Sequence, residues 1–229
     1  FYAQADKPFV EKKTWKGESE TTATQQYDSH QKTGALVRFD KDAETVNLKI
    51  GISFLSSLKA KANAMQEIPH WDFGYVRQQL LDKWENILSR VELDAQTPES
   101  YKRMFYTGLY HTMIMPVDRN VENPGWSDDE TYYDDYYAIW DTYRTSTPLI
   151  TLLDPDREVE IVNSLLNIYK RDGFMPDARS GNSNGRTQGG SNAEIVIADA
   201  FVKDLKGIDY EFALQAMLKD ATTPPGGNE

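Results

Sequence analysis

The spacing of apolar residues changes once along this chain, near residue 56, and that change limits the folds open to it. Before it, ALVRF (35–39) and TVNLKIGISF (45–54) alternate apolar with polar, placing Val46, Leu48, Ile50, Ile52 and Phe54 on one face. Such alternation marks half-buried antiparallel strands, and the polar DKDAE between the runs predicts a hairpin loop. After it, Phe73, Val76, Leu80, Trp84 and Leu88 recur at three- and four-residue spacing, the stripe of a helix that buries one side. Strands followed only by helices predict an α+β chain with the two types segregated. Two strands are not stable alone, so more sheet is expected ahead of Phe1.

Local signals divide the helical part. Thr97-Pro98 predicts a cap with proline at the first helical position, opening a helix that carries Met104, Phe105, Leu109 and Met113. Asp154-Pro155 repeats the device ahead of Val159, Val162, Leu166 and Tyr169, and Gly173 stops that helix. A further helix is expected from about Asn192 to Lys206, ending at Gly207, and Asp209 caps a last one through Met217. ATTPPGGNE (221–229) reads as a turn or frayed end. The connections at 114–135 and 173–192 are long and polar, and loops of that length in a compact domain are usually functional or disordered.

Composition removes several functions. At 229 residues the chain can bury a sizeable core as one large domain or two small ones. A net charge of −11 argues against nucleic acid or an anionic membrane surface as main partner. No run approaches the roughly 18 apolar residues of a membrane span. With no cysteine there is no disulfide, thiolate metal site or cysteine nucleophile. The start at Phe1, without a signal-peptide pattern, predicts a processed or excised piece.

Three stretches could carry chemistry. DDETYYDDYYAIWDTYR (128–144) mixes carboxylates with tyrosines and a tryptophan. Rings cover the C–H face of a sugar and carboxylates accept from its hydroxyls; a helix start with an acidic, solvated face is the plainer alternative. Within it Trp140, Asp141 and Arg144 stand out, although Asp141 and Arg144 could equally pair as a structural bridge three residues apart. RSGNSNGRTQGGSNAE (179–194) offers glycines for tight turns and amides for hydrogen bonds, and runs straight into an apolar helix, which favours a site over a linker. It lacks the lysine and spacing of a phosphate loop. Third, Glu194 and Asp199 lie on that helix, and Asp199, between Ala198 and Ala200, reads as a partly buried, hydrogen-bonded carboxylate. His30, His70 and His111 are scattered without metal-ligand spacing, and His111 reads as a core or site-wall residue.

FYTGLYHT (105–112), YYAIWDTYR…PL (136–149) and GGSNAEIVIADAFVKDLKG (189–207) together resemble glycoside hydrolase family 92, the calcium-dependent exo-α-mannosidases that invert anomeric configuration. KIGISFLS (49–56) and EIPHWDF (67–73) look like that family's junction between sandwich and helices, so the resemblance covers about residues 35–220. It implies the end of an N-terminal β-sandwich (1–71), a linking helix (72–96) and the first helices of an (α/α)6 toroid (97–229), with the site between the domains. It also implies calcium, a secreted, cell-surface or periplasmic location, and a general base and most calcium ligands beyond Glu229. A chain ending there should be inactive alone.

The resemblance further implies a glutamate acid in an Asn-Glu-Thr motif just ahead of the VIADA-type helix. This sequence has none, and Gln188 stands nearest that position. Glutamine donates a hydrogen bond but gives up no proton near neutral pH. Either Glu194 supplies the acid from a shifted position, or the leaving group needs no proton, as when mannose is linked through a phosphodiester. Trp140, Asp141 and Arg144 are then expected at the terminal mannose, with Asn192 near it. The alternatives are a non-catalytic mannose- or glycan-binding relative, or a helical toroid for other chemistry such as a lyase or phosphorylase.

Overall fold

The computed structural model describes residues 1–23, 25, 28, 30–126, 130–185, 190 and 192–223. Among these the chain forms two compact units, Phe1–Arg77 and Gln78–Glu229.

In the first unit the strands are β1 (Tyr2–Ala5), β2 (Glu11–Lys16), β3 (Ser19–Thr21), β4 (Thr33–Arg38) and β5 (Leu48–Gly51), followed by helix α1 (Ser57–Glu67). β4 pairs antiparallel with β2 and β5 with β1, so DKDAE does not close a hairpin between β4 and β5; it crosses from one small sheet to another. Asp6 directs the crossing. Its carboxylate accepts from Asn47 N at 3.0 Å and Asn47 Nδ2 at 2.6 Å, and its own N donates to Asn47 O, which delivers β5 to β1.

The predicted inner face of β5 is also reversed. Leu48, Ile50, Ile52 and Phe54 are exposed, while Lys49 and Gly51 are covered. α1 follows within a few residues, capped by Ser56 Oγ accepting from Lys59 N, and folds over the Gly51 side. Ala60 and Ala64 lie so close that a Cβ at Gly51 would strike the Ala60 carbonyl oxygen. Small residues in both elements permit that approach, and Lys49 lies with its ammonium 4.4 Å from the Trp71 ring centre.

The remaining elements are helices α2 (Phe73–Leu88) and α3 (Glu99–Thr112), strands β6 (Val117–Asp118) and β7 (Tyr133–Asp134), helices α4 (Ile139–Thr142), α5 (Ser146–Leu153) and α6 (Pro155–Asp172), strands β8 (Arg179–Ser180) and β9 (Ser183–Asn184), and helices α7 (Ala193–Val202) and α8 (Tyr210–Thr222). α6 is the central helix of the second unit. Pro155 occupies its first turn, and Gly173 ends it in the left-handed region at φ +86°, donating to Tyr169 O. Ile161, Val162, Leu165, Leu166 and Ile168 form the core with residues of α5, α7 and α8. Of the predicted stripe of α2, Val76, Trp84 and Leu88 are half-buried, while Phe73 and Leu80 are exposed. Met104 and Phe105 of α3 are exposed as well, whereas Leu109 and Met113 are buried. His111 is exposed rather than in a core or wall.

Glu158 breaks the amphipathic pattern of α6. It is fully buried and neither carboxylate oxygen has a hydrogen-bond partner among the described residues. Burial pushes its carboxyl up from 4.5 to about 8; Asp199 adds to the shift, and Lys203 and Arg157 oppose it. The folded state therefore holds the proton more tightly, and this stabilisation, complete below pH 4.5, is lost as pH rises through about 8. Glu158→Gln should leave melting unchanged near pH 4.5. At pH 9 it should add about 2–4 kcal/mol, because the neutral amide, as unpaired as the protonated acid it replaces, removes the charge buried at that pH. Equal pH slopes for both proteins in thermal melts would contradict this.

Candidate active site

The two long connections predicted from sequence meet. In the second, Gly181 and Asn182 both have positive φ, +62° and +64°, as a two-residue type I′ loop between β8 and β9 requires. Arg179, 2% exposed, anchors this hairpin. Its Nη1 donates to Asp172 Oδ2 at 2.7 Å and to Asn184 Oδ1, its Nη2 to Asn182 O, and its Nε to Tyr132 OH at 3.3 Å. Asp134, with no exposure, lies 3.8 Å from Arg179 Nε and accepts from Asn182 N at 2.9 Å. Asp135 accepts from Ser180 Oγ at 2.7 Å and from Arg119 Nη2.

This network corrects the helix-start reading of residues 128–144 and gives most of their acidic side chains a structural role. Most of their described carboxylates are taken up by protein partners, and they do not form a helix start, because the helix begins only at Ile139. Asp134 and Asp135 tie the hairpin down, and Glu130 pairs with Lys170 and Arg171. Tyr132, Tyr133 and Tyr136 are buried, their hydroxyls donating to Asn182, Glu160 and the Ile161 carbonyl. Burial raises the pKa of each of the three phenols.

What remains open is a recess of about 480 Å³ lined by Tyr137, Trp140, Arg179, Ser180, Ser183 and Asn184, among others. Tyr137, 61% exposed, stands at φ +56°, and Asp135 at +57°. Bulky residues rarely adopt such values, and where they do the surrounding structure must hold them; here Tyr137 N donates to Arg179 O and Asp135 is held by Ser180 and Arg119. An exposed tyrosine and a half-buried tryptophan beside hydroxyls and an amide can take a sugar ring.

The predicted site residues fall as follows. Trp140 lines the recess, and Asp141 is exposed in the short helix α4. Arg144 does not pair with Asp141; its Nε donates to Trp140 O at 3.2 Å and its guanidinium lies 4.9 Å from the Tyr143 ring centre. Asn192 is buried at the start of α7, donating to Asp177 Oδ1 at 2.9 Å and Gly190 O at 2.8 Å. Glu194 is half-buried in the first turn of α7. Asp199 is part-exposed and paired with Lys203. Gln188 lies outside the described residues. Sequence reasoning missed Arg179, Asp134 and Asp177, and the only signal for them was their position at the ends of the two polar connections.

Among the described residues no three carboxylate or imidazole groups converge as a metal site would require. The described residues do not fit calcium by themselves. Among those residues, too, no helix is long and apolar enough to cross a membrane.

The catalytic-domain model of glycosyl hydrolase family 92 matches residues 59–229, and the chain belongs to that family. A protein of Arthroderma benhamiae described as an uncharacterized secreted glycosidase is 32% identical over 201 residues, 85% of this chain and 23% of that protein. A family 92 inverting mannosidase of Bacteroides thetaiotaomicron superposes with a TM-score of 0.83 at 27% identity, over 94% of this chain and 30% of that one. A second α-mannosidase of that organism, solved with mannoimidazole, shares the fold with a TM-score of 0.80 at 24% identity, over 97% of this chain and 31% of its own. This chain thus spans less than a third of the length of each of these relatives.

Proposed function

We propose that the full-length protein is a hydrolase that releases terminal α-linked mannose with inversion, and that it prefers mannosyl phosphodiesters. Membership of family 92 supports the first part; Gln188, nearest the position where the family resemblance implies a glutamate, supports the second. In this reading residues 1–71 end a β-sandwich, 72–96 form the linking helix and 97–229 open an (α/α)6 toroid, an arrangement supported by the order of strands and then helices. The protein acts outside the cytoplasm, as the description of its fungal relative suggests.

Trp140 stacks on the mannose ring while Asp141 and Arg144 bond its hydroxyls. Asn192 and Glu194 stand close by, and Gln188 occupies the proton donor's place. Inversion in one displacement needs a base that activates water on the face opposite the leaving group, and usually an acid that protonates the departing oxygen. A phosphate monoester departs as a stable anion and needs no such proton, whereas Gln188 can only donate a hydrogen bond to it. Calcium would bind the sugar's hydroxyls through ligands outside the described residues.

The same glutamine favours a second reading, a non-catalytic mannose- or glycan-binding relative. Proton NMR of full-length protein with a mannosyl phosphodiester separates the two. We expect β-mannose as the first product; α-mannose would exclude inversion, and binding with no release would favour the binding protein.

A further inference from the structure

Asp177 joins two groups of proposed site residues that are far apart in sequence. Its carbonyl oxygen accepts from Ile139 N at 2.9 Å, at the start of the helix that carries Trp140 and Asp141. Its carboxylate accepts from Asn192 Nδ2 at 2.9 Å, at the start of the helix that carries Glu194. Asp177 is 7% exposed and Asn192 is 6% exposed. The other carboxylate oxygen is buried without a partner among the described residues, and burial pushes the carboxyl up despite the Asn192 bond. Asn192 uses its second amide hydrogen on Gly190 O, so one side chain ties residue 190, α7 and Asp177 together.

We propose that Asp177 is a positioning residue: its buried junction with Ile139 and Asn192 holds the Trp140–Asp141 turn and the first turn of α7 in one fixed relation. The proposal rests on the reading of Trp140 and Asp141 as sugar contacts and of the α7 start as the neighbourhood of the proton-donor position. Misplacing reacting groups by about 1 Å lowers rates by roughly 10²-fold, so a joint of this kind acts on turnover more than on affinity.

The test uses full-length protein with an aryl α-mannoside, and reads kcat and KM beside hydrogen exchange at residues 139–143, 193–197 and in α6. Asp177→Ala should lower kcat by about 10²-fold with KM changed by less than about threefold. It should also speed exchange at both helix starts and leave α6 unchanged. Asp177→Asn keeps an acceptor for Asn192 and should restore kcat and protection. Asn192→Ser, whose shorter side chain cannot reach Asp177, attacks the joint from the other side should Asp177→Ala fail to fold, and should reproduce its signature. Unchanged exchange, faster exchange with full turnover, or an Asn variant as impaired as the Ala variant would each overturn the proposal. If wild-type protein releases mannose from no donor, the functional reading fails, and exchange alone decides: faster in Asp177→Ala but not in Asp177→Asn upholds the joint, and any other pattern overturns it.

Discussion

Arg179→Met should be the most destabilising single substitution in the second unit, with a loss of about 3–5 kcal/mol in urea unfolding of the full-length protein. Methionine fills much of the same volume, so the loss reports hydrogen bonds and charge more than cavity formation. Four acceptors lose their donor, on Tyr132, Asp172, Asn182 and Asn184. The larger part comes from Asp134, which has no exposure and would keep, among the described residues, its bond from Asn182 N while its Oδ1, which has no hydrogen bond there, loses the facing guanidinium. A buried charge deprived of its counter-charge costs far more than a lost surface pair. Adding Asp134→Asn to Arg179→Met should therefore recover part of the loss, because the two side chains share one network. A loss below about 1 kcal/mol, the range of surface pairs, would show that the hairpin is held by its turn alone.

Gln188→Glu has the largest expected effect on catalysis. A carboxylic acid at this position can protonate a sugar leaving group, and general acid catalysis is worth roughly 10²–10⁴-fold. Hydrolysis of α-1,2-mannobiose by the full-length variant should rise by a factor in that range. Cleavage of a mannosyl phosphodiester should change little or fall, since its leaving group needs no proton and the new carboxylate would repel the phosphate. Kinetics on both substrates decide it, and an unchanged preference would sink the assignment of Gln188 to the acid position.

The change near residue 56 was legible because it rests on spacing alone: β1–β5 precede it and the long helices follow it, but the short strand pairs β6–β7 and β8–β9 lie among those helices, so strands and helices are not fully segregated. The ends of α6 were legible because Pro155 and Gly173 act locally. The pairing of β5 was not: alternation marks a strand but not which neighbour or layer covers it, and that was settled by Asp6 reaching Asn47 and by α1 folding over Gly51. At the candidate site the neighbourhood was legible and the division of labour was not. Acidic and aromatic residues between 128 and 144 look alike in sequence, yet Asp134 is under the hairpin, Tyr136 is in the core and Tyr137 lines the recess. Arg179, set in a run of glycine and serine, has the composition of a surface residue; only the convergence of Tyr132, Asp172 and Asn184 makes it a buried anchor.

The central claim is that this family 92 protein cleaves mannose from a leaving group that departs without a proton. The direct measurement is kcat/KM of the full-length protein at neutral pH for a mannosyl phosphodiester and for α-1,2-mannobiose, side by side. The phosphodiester should be preferred by at least about 10²-fold, the lower bound of what a missing general acid forfeits on the mannobiose. Equal values for the two substrates would contradict the claim.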